Sequence, residues 1–257
     1  MNHTHRLPAL APWEHWPADR LRREQQENPR SFARGFQMRA FTDEERLFPS
    51  FKNCYSHGVA LGNIQRSGWP TFMGVDLAGA TRAGNVIFAA SIDPTTQRRY
   101  PLEIRRGAWT SPETARNLAQ MHASYPNVRH IMVENNGYQQ SIIDWIRNVG
   151  GVDASFWYKI ESFTTGANKH KVDVGLPSLE VEFANKAWVI PADEFEGHPP
   201  TCQCGWCVWT TEVNNYPMSG QADTVMAMWF CREAMSRWGG AAQASNTGPS
   251  FANINVR

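Results

Sequence analysis

The stretch "TFMGVDLAGATRAGNVIFAASID", residues 71–93, reads as two hydrophobic strands joined by a turn of small residues, with one acid, Asp76, at the end of the first strand. "DPTTQ" then makes a hairpin turn into a third strand, "RRYPLEIRRGAW". Three consecutive strands joined by tight turns imply antiparallel pairing. Asp76 is the anomaly in this pattern. An ionised carboxylate in apolar surroundings shifts its pKa, finds a partner or binds a cation.

Working outward, "SPETARNLAQMHASYP" predicts a helix with Ser111 as N-cap, Pro112 at its first position and Pro126 as its stop. "VRHIMVEN" reads as a buried strand, and "GYQQSIIDWIRNVGG" as an amphipathic helix ended by Gly150 and Gly151. "ASFWYKIESF" follows as another strand. The order β-β-β-α-β-α-β predicts an α/β fold, a mixed β-sheet flanked by helices. "LPSLEVEFANKAWVIP" suggests a short helix leading to an edge strand, and "DTVMAMWFCREAMSRWG" a long helix with a broad apolar stripe. Residues 1–65 read as an N-terminal extension or linker, 66–240 as the folded domain and 241–257 as a mobile tail.

The composition is that of an ordinary globular protein, 42% hydrophobic and 19% charged over 257 residues. A formal net charge of +1 gives no global cationic field, so any nucleic-acid contact must come from local patches such as Arg98-Arg99, Arg105-Arg106 or Lys169-His170-Lys171. No apolar run suits a membrane span, and the first residues lack the apolar core of a secretory signal. Five cysteines, three of them within "CQCGWC", do not form a disulfide framework and suit a cytosolic setting.

Asp76 ends one strand, Glu134 ends another, and Asp223 opens the long helix. Each also reads as something ordinary: a turn acid, a strand-end acid, a residue favourable to the helix dipole. If the two strands are sheet neighbours, their ends lie about 5 Å apart, and the helix start packed across them adds a third carboxylate. Three acids so placed need a cation, and carboxylate oxygens suit Mg²⁺ or Mn²⁺. Two such ions roughly 3.5–4 Å apart serve in-line hydrolysis of a phosphodiester.

"MGVDLA", "IMVENNGYQQSIIDWI" and "NNYPMSGQADTVMAMWFCREA", in this order and spacing, resemble the C-terminal nuclease domain of tailed-phage terminase large subunits, a ribonuclease H-like family. The resemblance spans roughly residues 70–238, and "ENPRSFARGFQMRAF" resembles the passage from the family's motor domain. It implies a ribonuclease H-like fold, Asp76, Glu134 and Asp223 as metal-binding catalytic acids, and cutting of concatemeric double-stranded viral DNA during packaging. It also implies an ATPase motor, a small terminase subunit and a portal as partners, in the cytoplasm of an infected bacterium. Two departures stand out. Gln221-Ala222-Asp223 replaces the family's frequent His-Asp-Asp, and no GxxxxGKS or GxxxxGKT phosphate loop occurs, so the motor half is absent from this chain.

"HPPTCQCGWC" offers His198, Cys202, Cys204 and Cys207, four ligands of the number and softness for a structural Zn²⁺ site, or else free thiols in a surface loop. Cys54 and Cys231 read as buried small hydrophobes. Lys169, His170 and Lys171, in a polar loop, and Arg82, in the turn after Asp76, are candidates for DNA phosphate contacts. Two other functions remain open from sequence: another ribonuclease H-like nuclease of junction-resolvase or transposase type, and a zinc-containing DNA-binding module without catalysis.

Overall fold

The computed structural model describes residues 16–28, 32, 35–36, 46–77, 84–134, 154–164, 175–218 and 222–238. Its centre is a five-stranded mixed sheet. The strands are β2 (Thr71–Asp76), β3 (Asn85–Ile92), β4 (Arg99–Gly107), β5 (Val128–Glu134) and β6 (Ile160–Phe163), in the order β4-β3-β2-β5-β6. β3 pairs antiparallel with both β2 and β4, whereas β5 is parallel to β2 and β6 parallel to β5. The hairpin half of the sheet therefore follows the turn chemistry, and the parallel half requires crossovers. A separate two-stranded parallel pair joins β1 (Tyr55–Ser56) to β7 (Ile190–Pro191).

Central strands are buried on both sides, and alternation along β2 assigns the faces. Phe72 enters one apolar cluster; Met73 and Val75 enter the other. The second cluster is completed by Ala115, Leu118 and Met121 of a helix, Ser111–Ser124, in the crossover from β4 to β5. With α1 at Ala18–Glu27 and α2 at Leu61–Arg66, this helix is α3. The first cluster is covered by α4 (Ser178–Ala184), α5 (Gly205–Asn215) and α6 (Asp223–Trp238). The result is a helix–sheet–helix layering, the mixed, helix-flanked sheet that the strand order predicts.

α6 packs so closely on β2 that the sheet needs a glycine beneath it. A Cβ at Gly74 would lie 2.0 Å from the Ala227 carbonyl oxygen and 2.3 Å from the Cys231 nitrogen. Further along the strand, the Cys231 thiol donates to the Phe72 carbonyl at 3.3 Å.

Several local readings change. The N-cap of α3 is Thr110, not Ser111, because Thr110 donates both its backbone N–H and its Oγ1 to Glu113 Oε2 at 2.8 Å. Residues Ala154–Lys159, expected as strand, form a 3-10 helix before β6. Phe48, Phe51 and Cys54, inside the stretch read as an extension, belong to the main core, with Phe51 edge-on to Phe183 and Trp209. The expected helix over 137–151 and the tail lie outside the described residues. No helix among the described residues is long and apolar enough to cross a membrane.

Candidate active site

Asp76 is the last residue of β2, and Glu134 the last of β5. The β2–β5 register pairs Val75 with Val133, so the next step along both strands sets the two acids side by side, with neighbouring strands about 4.8 Å apart. Both acids lie on the α6 face. Asp76 is two residues beyond Gly74, which touches α6, and Glu134 is two residues beyond Met132, which packs in the α6-side cluster.

The third acid follows from how α6 runs. Phe72 meets Cys231 and Gly74 meets both Ala227 and Cys231, so the helix travels antiparallel to the strand. Two strand residues advance about 6.6 Å; one further turn of helix, four residues, retreats about 6 Å. Continuing the same step lays Asp223, the first residue of α6, across Asp76. Asp76 is 8% exposed, while Glu134 and Asp223 are half-buried, so the acids border solvent at the carboxyl end of the parallel strands.

Glu212, which the sequence does not single out, and Arg106, named there only within a basic pair, join this end. Glu212 of α5 is buried, and its Oε2 accepts from the Thr224 backbone N–H at 2.9 Å and from the Thr224 hydroxyl. It caps the start of α6 from a neighbouring helix. Burial first, and then the charge of Asp223, push Glu212 above the usual carboxylate range, against the Thr224 hydrogen bonds and the charge of Arg106. Arg106 pairs across the sheet with Val86, and Val86 with Asp76, which makes a row Arg106–Val86–Asp76 at the sheet's end. Val86 and Ile104 both pack on the α6 side, so alternation puts Arg106 on that face too. No local pattern betrays Glu212. It lies beyond the cysteine motif on α5, and only the α5–α6 packing gives it a role.

Arg82, Lys169, His170 and Lys171 lie outside the described residues.

A second cluster sits on the surface beside β4. One ligating atom from each of His198, Cys202, Cys204 and Cys207 lies within 4.8 Å of all the others. His198 Nδ1 is 3.3 Å from Cys207 Sγ and 3.6 Å from the sulfurs of Cys202 and Cys204. Cys204 is the N-cap of α5, its sulfur accepting from the Cys207 N–H at 3.4 Å. Hydrogen bonds from Cys204 bring the Cys202 thiol down to about 7. Cys54 and Cys231 are buried, as expected of small hydrophobes.

The solved structures similar to this chain include three viral nucleases. The large terminase nuclease of thermophilic phage G20c is 14% identical, with 64% of this chain and 82% of that one covered and a TM-score of 0.43. The large terminase nuclease domain of bacteriophage SPP1, solved with bound Mn, is 16% identical, with coverages of 70% and 94% and a TM-score of 0.43. The Fowlpox virus resolvase, solved with its Holliday junction substrate, is 14% identical, with coverages of 65% and 97% and a TM-score of 0.37. No family model and no curated protein matches the chain.

Among the described residues, the converged set of ligating atoms is that of the His/Cys cluster. The three acids come from separate elements at one sheet end, their donors are carboxylate oxygens of the kind a hard divalent cation takes, and the charge of Asp223 weighs on its neighbour Glu212. The cysteine cluster, soft and sulfur-rich, fits a different ion.

Proposed function

We propose that the chain is a divalent-metal-dependent endonuclease of ribonuclease H-like type, the nuclease component of a viral packaging terminase. Its substrate is concatemeric double-stranded DNA, and it works in the cytoplasm of the infected bacterium with an ATPase motor, a small subunit and a portal. Asp76, Glu134 and Asp223 are its catalytic acids, and residues 66–240 its nuclease unit. One observation carries this reading: Asp76 and Glu134 are adjacent in register on the face and at the end of the sheet that the start of α6 covers.

When bound, Mg²⁺ or Mn²⁺ ions supply the polarisation that activates water and stabilises the leaving 3′ oxygen. The chain's own residues supply position. Asp76 and Glu134 stand on paired strands, so their separation is fixed by the ladder rather than by side-chain freedom. Asp223 stands on the first turn of α6, which Glu212 holds through Thr224. Arg106, on the same face, is a candidate for a backbone-phosphate contact, and Arg82, Lys169, His170 and Lys171 are candidates by their charge, none of them reading bases.

The substrate class is tested by offering linear duplex, a four-way junction and an RNA–DNA hybrid with Mn²⁺. Cleavage of linear duplex with little sequence preference supports the packaging role. Preferential cutting of the junction or the hybrid would replace that role with a resolvase- or ribonuclease-type one, and no cutting of any substrate would remove the nuclease reading.

A further inference from the structure

We propose that His198, Cys202, Cys204 and Cys207 hold one structural zinc ion that fastens the start of α5 to the rim of the sheet, so that α5 can carry Glu212 to the N-terminus of α6. The inference stands apart from the nuclease reading. It needs only the cluster and the two helices.

The geometry is that of a tetrahedral site. Zinc bonds of about 2.3 Å to sulfur and 2.0–2.1 Å to nitrogen, at tetrahedral angles, separate nitrogen from sulfur by about 3.6 Å and sulfur from sulfur by about 3.8 Å. The observed nitrogen–sulfur separations are 3.3, 3.6 and 3.6 Å, and no ligating pair exceeds 4.8 Å. All three cysteines are free thiols, an odd set that no disulfide pairing within the cluster could satisfy. Four protein ligands close the coordination sphere, as in structural rather than catalytic zinc sites. Binding releases the thiol protons: three thiolates and a neutral imidazole around Zn²⁺ leave a site of one net negative charge. The Cys207 N–H, directed at Cys204 Sγ from the first turn of α5, supports that charge, as helix N-termini do for thiolates.

The site also explains Gly205 between the ligands. A Cβ there would lie 2.1 Å from the Ile104 carbonyl oxygen, so the ligand loop and the start of α5 press directly on the backbone of β4. From that anchor α5 runs two turns to Glu212, whose carboxylate takes the Thr224 N–H that α6 cannot satisfy internally. Zinc at one end of α5 and the cap at the other make the helix a strut between the sheet rim and the helix that bears Asp223.

The full chain, purified without added metal, should carry one equivalent of zinc by atomic emission. Replacement by Co²⁺ should give the thiolate-to-cobalt charge-transfer and intense visible bands of a tetrahedral sulfur site. Cys202→Ser and Cys204→Ser should each reduce bound zinc at least tenfold, whereas Cys54→Ser and Asp76→Asn should keep the full equivalent. If the serine variants fail to fold, Co²⁺ titration of chelated wild-type protein gives the same answer. Hydrogen exchange reads the strut: stripping zinc should speed exchange of the Thr224 amide at least tenfold while amides of β3 stay protected. Absence of zinc and of the cobalt bands in wild type, or equal zinc in Cys204→Ser, would overturn the site. An unchanged Thr224 amide on metal removal would overturn the strut.

Discussion

Cys54 and Cys231 sit where burial holds their thiols above the ordinary range, Cys54 up to about 11, while Cys202 lies down at about 7 in the surface cluster. In chelator-treated native protein, alkylation near neutral pH should therefore reach Cys202 first and leave Cys54 and Cys231 untouched until denaturant is added. Mass mapping of the labelled peptides checks the order. His57 offers a second residue-level test. Its Nδ1 meets Asp193 Oδ1 at 2.9 Å and its Nε2 meets Glu196 at 3.4 Å, and the Asp193 hydrogen bond, then the Glu196 charge, raise the histidine. The same His57 contact lowers Asp193, helped by the Gly58 N–H. A raised histidine favours the fold fully below its ordinary 6.5 and loses that contribution as pH rises through the folded value. A lowered aspartate contributes fully above its ordinary 3.8 and loses it as pH falls through the folded value. The contact thus helps most between those two ordinary values. The His57 ring should titrate above 6.5 by NMR and fall toward that value in Asp193→Asn, with Glu196 still in place. Residue chemistry of this kind was partly legible in the sequence. The cysteine spacing announced a ligand set, but the His57–Asp193 pair spans 136 positions and leaves no local trace.

Among the elements, α6 carries the heaviest constraints. Gly74→Ala would drive a Cβ into the α6 backbone at Ala227 and Cys231, where no flexible side chain can yield, so the helix itself must move. The expected cost is about 1–3 kcal/mol or more, seen as a lowered urea midpoint. On its buried side α6 also carries Arg232, which with Arg99 of β4 faces Glu182 of α4 at 3.4 and 3.5 Å; all three side chains are largely buried, and Trp188 donates to the same carboxylate. Glu182→Ala takes the carboxylate from the buried Arg99, while Arg232 keeps Glu233, and should cost about 3–5 kcal/mol. Strands and long helices were readable because their periodicity is strong and their ends carry turn or capping residues. α5 was not, because "GWCVWTTEVNN" mixes aromatic and β-branched residues with a cysteine motif that reads as a loop. Its helicity is set by what it packs against: Trp209 and Val213 in the core, and Glu212 on α6. The N-cap of α3 fell one residue early for a plainer reason, since Thr110 and Ser111 are both good caps and only Thr110 reaches Glu113.

At the scale of the molecule, three acids spread over nearly 150 positions matter only if the sheet order brings them together. The antiparallel β2–β3–β4 hairpins leave one free side of β2, and β5 fills it in parallel, so Asp76 and Glu134 leave the sheet at the same end. In the sequence that arrangement was conditional on the two strands being neighbours, and Arg106 was one of a basic pair with no position; register placed Arg106 in the Asp76 row, and only helix packing brought Glu212 into view. The most direct test is Mn²⁺-dependent nicking of supercoiled plasmid by wild type and by Asp76→Asn, Glu134→Gln and Asp223→Asn, each with its thermal unfolding measured. The account predicts nicking by wild type that is lost at least a hundredfold in every variant, on an intact fold. Variants that nick as well as wild type, or wild type inert with every divalent cation, would contradict it.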